Sequence, residues 1–328
     1  MRSVSPRARS WILAVLPAIV GLAGCDRTPT EPVLAPFEAA KGGGSSAKPK
    51  PIAMEKIAFS ATYQGFQGIY TVDPNGLSPA KLVTTPPAGF GDDEPTLAPG
   101  STKVAFARFD LNNGVSEIFS STVNGNQLTQ VTNFHGRTHT PVFSPDGSMI
   151  AFVSDKPHLG ATAPINLFVM NANGTNVQLI APTIAGSRPA WSADGETVYY
   201  SKDLPLYGVP HTWIASTHLP TSTVAYYTGC PNAQCTSPTV DYNSDRIIFE
   251  YEDVNTPRQL WMNSNQDNSI LPLPLARVGG WNLDGTKFVF ALTGPSSSPA
   301  SLQILDFATM TYTPLDAARA ASWPTWSR

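Results

Sequence analysis

One seven-residue pattern recurs along this chain and constrains its fold more than any other feature. Residues 141–147 read PVFSPDG and residues 189–195 read PAWSADG, and an apolar run follows each of them. Weaker copies begin near Pro95, Pro238 and Gly280. Successive copies start about forty to fifty residues apart, which is the spacing of four-stranded β-propeller blades. The period therefore predicts a propeller.

The rest of each unit carries strand and turn signals in a constant order. Apolar runs such as residues 166–170 (NLFVM) and 177–180 (VQLI) predict a third and a fourth strand. Asp-Gly follows the first strand, and Asn-Gly separates the last two strands at Asn75, Asn124 and Asn173. Both dipeptides favour the positive φ angles of tight hairpin turns. The expected fold class is all-β, with six four-stranded blades.

These residues resemble the TolB-type β-propeller repeat, which is often described as WD-like. The family pattern runs Pro-x-Trp-Ser-Pro-Asp-Gly, Ile-Ala-Phe, Ile-Tyr-Val-Met-Asn, and then a turn with Leu-Thr. The resemblance covers residues 56–328 and implies a six-bladed propeller that acts with partners in the bacterial envelope. It says little about activity, because propellers host many functions.

The two ends of the repeat region predict how the ring closes. The first unit starts directly at its second strand, residues 56–60, without a preceding Pro-x-Trp-Ser. Residues 323–327 read WPTWS and supply that piece with nothing after it. We therefore expect the C-terminal strand to pair into blade one, which leaves no exposed blade gap.

Residues 1–24 have the order of a lipoprotein signal peptide. Arginines at positions 2, 7 and 9 precede the apolar residues 11–20 and the box LAGC, which ends at Cys25. This order predicts an exported bacterial protein whose signal peptide is removed and whose Cys25 receives fatty acyl chains such as palmitate. An ordinary signal peptide with a chance cysteine is the alternative. The apolar run is too short to favour a membrane-spanning helix.

Residues 25–55 are predicted to be a lipid anchor and a flexible tether. They are rich in Pro, Ala, Gly, Ser and Lys, and include GGGSS at residues 42–46. Such a composition buries too little apolar surface to offset its ordering entropy. The net charge of the chain is −3 and basic clusters are lacking, so nucleic acid is not an expected partner. The expected location is the cell envelope, periplasmic or surface-exposed.

Cys230 and Cys235 lie close together in a loop-like segment, CPNAQC. In an oxidising compartment this spacing predicts a local disulfide. A cysteine-based metal site is disfavoured, because no second pair completes four ligands.

Catalytic signals are weak. No Gly-x-Ser-x-Gly nucleophile elbow is present in the sequence. Lyases with this fold use several histidines around the channel to hold a metal, but here only His139 falls at a channel-facing position. Asp92, Asp93 and Glu94 are adjacent acids without the spacing of a calcium loop. We therefore expect no catalytic residue, no cofactor and no metal.

The expected binding region is one end of the central channel. In a propeller, the segments that lead into the innermost strands converge there. We call this region the channel mouth, and its predicted residues are Asp93, Glu94, His139, Arg188, Ser237 and Trp323. Both charge signs and an aromatic ring meet in this region, as expected for a ligand site.

The expected function is a non-enzymatic, membrane-anchored scaffold for a protein or peptide partner in the envelope. A channel-mouth carbohydrate lyase or hydrolase and a purely structural envelope protein are the alternatives. A solvated rim without any ligand is the competing interpretation of the channel mouth.

Overall fold

The computed structural model describes residues 55–63, 66–156, 164–204, 211–231, 233–242, 246–255, 257–264, 267–274, 276–292, 300–319 and 321–327. The predicted signal peptide, Cys25 and nearly all of the tether lie outside the described residues. Within the described residues, the strands form six four-stranded antiparallel sheets.

The strands of the first three blades are, in chain order, β1 (Ile57–Tyr63), β2 (Phe66–Val72), β3 (Lys81–Leu82), β4 (Phe90–Leu97), β5 (Lys103–Asp110), β6 (Ser116–Thr122), β7 (Thr129–Gln130), β8 (Thr138–Phe143), β9 (Met149–Ser154), β10 (Asn166–Asn171) and β11 (Gln178–Ala181). A 3₁₀ helix, Pro99–Ser101, joins β4 to β5.

The strands of the remaining blades, with the strand that completes blade 1 at the end, are β12 (Ala190–Trp191), β13 (Thr197–Asp203), β14 (His211–His218), β15 (Thr223–Pro231), β16 (Ala233–Val240), β17 (Arg246–Asp253), β18 (Gln259–Ser264), β19 (Asp267–Pro274), β20 (Ala276–Trp281), β21 (Lys287–Leu292), β22 (Ser301–Asp306), β23 (Thr311–Arg319) and β24 (Ala321–Trp326).

The sheets follow the repeat units, and each blade begins with its innermost strand. Blade 1 has the order β24-β1-β2-β3, and blades 2 to 6 start with β4, β8, β12, β16 and β20. β24 pairs with β1, with Ile57 opposite Trp326 and Ser60 opposite Ser322. The predicted six-bladed propeller, closed by its C-terminal strand, is thus confirmed.

The hydrophobic core lies between neighbouring blades. Each of the six clusters of buried side chains contains residues of two adjacent blades. Between blades 3 and 4, for example, Ala151 and Val153 pack with Trp191 and Tyr200. A blade is therefore covered on both faces, which explains why its second strand is a continuous apolar run and does not alternate.

The Asp-Gly turns connect the first and second strands of several blades. In blade 3, the Asp146 carboxylate accepts from Ser144 Oγ at 2.6 Å and from the Ser148 N–H at 3.0 Å. Gly147 follows with φ 73°, a conformation that a side chain would strain. These hydrogen bonds lower the pKa of the Asp146 carboxyl, with the Ser144 hydroxyl as the largest cause. The repeated aspartate therefore shapes the turn.

The structure corrects where the inner strands begin. The sequence pattern places Asp93, Glu94 and His139 in the segments that lead into these strands, but β4 already begins at Phe90 and β8 at Thr138. The pairing of β4 with β5 shifts between Asp93 and Thr96, and the pairing of β8 with β9 shifts between His139 and Val142. In blades 2 and 3 the residue before the proline thus belongs to a β-bulge inside the strand.

The bulge has a local cause that recurs around the ring. The residue before proline has a positive φ in four blades: Glu94 at 55°, Thr140 at 50°, Ser237 at 53° and Trp323 at 49°. The proline that follows has no N–H to donate to the ladder, so regular pairing is interrupted there. In blade 6, Gly279 stands where these blades have the proline, and a Cβ on Gly279 would lie 2.1 Å from the Val289 carbonyl oxygen.

Cys230 and Cys235 lie at the junction of two blades. Cys230 is in β15, the outer strand of blade 4, and Cys235 is in β16, the inner strand of blade 5. Both cysteines are buried. The structure joins their sulfur atoms, with the Cα atoms 6.0 Å apart. The bond connects strands that belong to different sheets.

Candidate functional site

Arg188 crosses the central channel. It lies just before the inner strand of blade 4, yet its guanidinium donates to the Pro95 carbonyl of blade 2 at 3.1 Å. It also donates to the Pro324 carbonyl of blade 1 at 3.4 Å. The Arg188 side chain is buried. One side chain thus links three blades across the axis of the ring.

The channel beyond Arg188 is narrow. A cavity of about 40 Å³ continues from it and is lined by all six blades, including Thr96, Ser144, Thr239 and Gly280. One water needs about 10–15 Å³ of such volume, so this space suits a few water molecules. The Arg188 side chain and this small cavity therefore leave the channel narrow at this end.

The acids at the channel mouth hold the bulges together. The Glu94 N–H donates to Asp93 Oδ1 at 2.8 Å, and the Thr140 N–H donates to Glu94 Oε2 at 2.7 Å. In blade 6, the Val278 N–H donates to Glu250 Oε1 at 3.0 Å. The bulge removes these amides from the strand ladder, and a buried amide without a partner is costly. The carboxylates therefore replace the missing ladder acceptors.

Asp92 forms a separate ion pair. Its carboxylate is fully buried and accepts from Arg108 at 2.6 and 2.8 Å, through the Nε and one terminal nitrogen. The Arg108 guanidinium also lies over the Phe119 ring, 4.7 Å from its centroid. Asp92 thus serves the interior of blade 2, and the three adjacent acids do not act as one cluster.

Asp93 is mostly buried between blades 1 and 2. The Ser60 hydroxyl of blade 1 donates to its carboxylate and also contacts Ser322. Burial raises the pKa of the Asp93 carboxyl to about 6, although the Ser60 hydrogen bond opposes this shift. The charge of Glu94 adds to the increase. Asp93 therefore gains a proton more readily than an ordinary aspartate.

Of the predicted channel-mouth residues, Glu94 and His139 are in contact, and the set differs in exposure. Glu94, Arg188 and Ser237 are buried, whereas the His139 side chain is 21% exposed and Trp323 is half-buried. His139 Nδ1 lies 3.3 Å from Glu94 Oε2. A ligand at this end of the ring would reach His139 and Trp323 directly, and the buried residues would support them.

The sequence interpretation missed Arg277. Arg277 lies opposite Ala291 in β21, just as Asp93 lies opposite Ala107 and His139 opposite Val153. It is half-buried, and its guanidinium carbon lies 5.5 Å from the centroid of the Trp323 ring. Blade 6 lacks the proline that marks this position elsewhere, so only an alignment by strand register identifies Arg277.

The described residues contain no group of three or more His, Cys, Asp or Glu side chains suited to a metal ion. In the same part of the chain, no helix is long and apolar enough to cross a membrane.

Six four-stranded blades around a central channel define the class of this protein as a six-bladed β-propeller. The chain belongs to the TolB beta propeller domain family, which matches residues 93–327.

Two solved structures show the same fold at low sequence identity. TolB from Acinetobacter baumannii is similar with a TM-score of 0.65 at 14% identity, over 83% of this chain and 66% of that chain. Kuenenia stuttgartiensis hydrazine synthase is similar with a TM-score of 0.62 at 14% identity, over 84% of this chain and 47% of that chain.

A curated relative is similar over a shorter stretch. The uncharacterized peptidase YuxL of Bacillus subtilis (strain 168) is 28% identical over 117 residues, which are 34% of this chain and 17% of that protein. The chain thus spans only a small part of YuxL and just under two thirds of the Acinetobacter TolB chain.

Proposed function

We propose that this propeller is a non-enzymatic scaffold of the bacterial envelope that binds a protein or peptide at its channel mouth. The observation that supports this proposal best is the Arg188 bridge, with a cavity of only about 40 Å³ behind it. Because the Arg188 side chain crosses the narrow channel, we expect a ligand to contact the mouth from one side. An extended peptide or a protein loop suits such a surface.

The hydrogen bonds of the acids support the same proposal. Asp93 and Glu94 accept from backbone amides, and a carboxylate that must hold an amide is poorly placed to act as a general base. The carbohydrate lyase or hydrolase alternative would require these acids to leave their amides during each turnover. A purely structural role would leave the half-buried Trp323 and His139 without a ligand.

A membrane anchor at Cys25 is part of the proposal. Replacing Cys25 with Ser is expected to move the protein from the membrane fraction to the soluble fraction, because the cysteine sulfur is the predicted acyl attachment atom. Fractionation of cells after a high-salt wash measures this change. Ser46→Ala in the tether is the control. Membrane retention of Cys25→Ser would contradict the anchor.

The channel mouth is tested by capture of a partner in cells. The double variant His139→Ala, Trp323→Ala is expected to reduce cross-linking of the full-length protein to its partner by at least about tenfold, since both side chains are accessible there. The matched control is Leu179→Ala on the outer strand β11, where the leucine is 55% exposed. Thermal unfolding shows that both variants remain folded. Equal cross-linking by the double variant and the control would place the partner elsewhere.

A further inference from the structure

Arg277 differs from the other arginines whose side chains are described. Each of the others donates to an acceptor of the protein: Arg108 to Asp92, Arg137 to Asp155, Arg188 to backbone carbonyls, Arg246 to Asp241 and Arg258 to Glu252. For Arg277, the described residues provide a ring contact with Trp323 and longer-range electrostatic coupling to Asp93 and Glu250. Its guanidinium donors therefore remain available for a ligand.

The Trp323 ring orients this guanidinium. The two side chains come from adjacent blades, since Arg277 is in β20 and Trp323 is in β24. A guanidinium on an aromatic face keeps its planar set of N–H groups accessible at the edge, and little further ordering is needed when a ligand binds. Trp323 itself adopts φ 49°, which is unfavourable for a bulky residue. The bulge thus fixes the ring at the mouth.

The surrounding charges favour a single negative charge on the ligand. Asp93 and Glu250 lie close enough for the Arg277 charge to lower their pKa values, although burial raises both overall. These neighbouring carboxyls would oppose a dianion, such as a phosphate, more strongly than a monoanion. A carboxylate also matches the guanidinium edge with two parallel hydrogen bonds.

We infer that Arg277, stacked on Trp323, is a receptor for a carboxylate of the partner peptide at the channel mouth. This inference rests on the proposed function and names the chemistry that the mouth recognises. The carboxylate belongs either to the C-terminus of the peptide or to an Asp or Glu side chain, and both sources present the same group to the guanidinium.

The test uses the full-length protein in detergent with ¹⁵N-labelled arginine. The Arg277 Nε–H signal, assigned by its absence in Arg277→Lys, is followed by NMR during titration with three peptides. The first is acetyl-tetraalanine with a free C-terminus, the second is its C-terminal amide, and the third is acetyl-Ala-Ala-Glu-Ala amide. We expect a saturable shift with the first or the third peptide and no shift with the second. The peptide that binds more tightly identifies the source of the carboxylate.

Variants of Arg277 separate the effect of its planar guanidinium from the effect of its positive charge. Arg277→Gln is expected to weaken binding of the carboxylate peptide at least tenfold, and Arg277→Lys should weaken it by a smaller factor, because lysine keeps the charge but not the planar fork. Trp indole fluorescence reports binding in these variants. Arg137→Gln is the matched control, because Arg137 is already paired with Asp155 at 2.9 Å. The affinity of this variant for the carboxylate peptide should stay within about twofold of that of the unaltered protein.

The inference is overturned if neither carboxylate peptide shifts the Arg277 signal, or if Arg277→Gln binds as tightly as the unaltered protein. Failure of the proposed function is distinguishable from this result. If the double variant His139→Ala, Trp323→Ala abolishes partner capture while the Arg277→Gln variant captures normally, the channel mouth binds its partner through a group other than Arg277. If neither variant affects capture, the partner binds elsewhere on the propeller.

Discussion

Deletion of residues 322–328 is expected to unfold the whole propeller and not only blade 1. The deletion removes most of β24, which pairs with β1 and forms one wall of the channel. It also removes Trp326, which is 4% exposed and packs in the cluster between blades 6 and 1. Loss of one such buried side chain alone costs about 3–5 kcal/mol, and a domain is stable by only about 5–15 kcal/mol.

Thermal unfolding followed by circular dichroism measures the effect of this deletion. The matched control removes residues 42–48 of the tether, which is the same length of chain and lies outside the described residues. The control should melt like the unaltered protein, whereas the deletion of 322–328 should lack a cooperative transition. Equal melting temperatures for the two deletions would show that the ring does not depend on closure by β24.

The variant Asp92→Ala is expected to destabilise the protein by about 3–5 kcal/mol, because it leaves a buried guanidinium without its carboxylate. The Arg108 side chain is only 9% exposed, so water cannot replace the lost partner. The double variant Asp92→Ala, Arg108→Met should regain part of this loss, since removing both charges of a buried pair is often nearly neutral. Urea unfolding at neutral pH gives the three free energies.

A more exposed ion pair provides the control for Asp92. Asp73 accepts from Lys56 at 2.8 Å, but both side chains are more than a quarter exposed. Asp73→Ala should therefore cost less than about 1 kcal/mol. If Asp92→Ala is no more harmful than Asp73→Ala, or if the double variant is the least stable of all, the Asp92–Arg108 pair does not stabilise blade 2 as described.

The repeat was sufficient to predict the blades because each unit carries the same strand and turn signals. Turn residues such as Asp146 and Gly147 act within a few residues of themselves, so their role is visible in the sequence. Closure by β24 was also predictable, since the missing piece of the first unit reappears at residues 323–327.

The channel mouth was predictable only as a location. The amino-acid sequence does not show that the Glu94 carboxylate accepts a hydrogen bond from the Thr140 amide of the next blade, because that contact depends on a bulge with positive φ. Likewise, the partner of Asp92 is Arg108 on the following strand, which neighbouring residues in the chain do not indicate. Contacts between neighbouring strands and between blades decide which polar residues are buried, and the repeat pattern of a single unit carries no information about them.

Closure by β24 also delays the completion of blade 1 during folding. The Lys56 amide donates to the Ser327 hydroxyl, and these residues are 271 positions apart in the chain. Because β1 emerges first and β24 last, both at the ribosome and during export, β1 lacks this partner strand until the rest of the chain has emerged. During that time its apolar edge (IAFSATY) is open to pairing with other chains. We therefore expect an aggregation-prone interval before the ring closes, and a chaperone that covers β1 should raise the yield without changing the final stability.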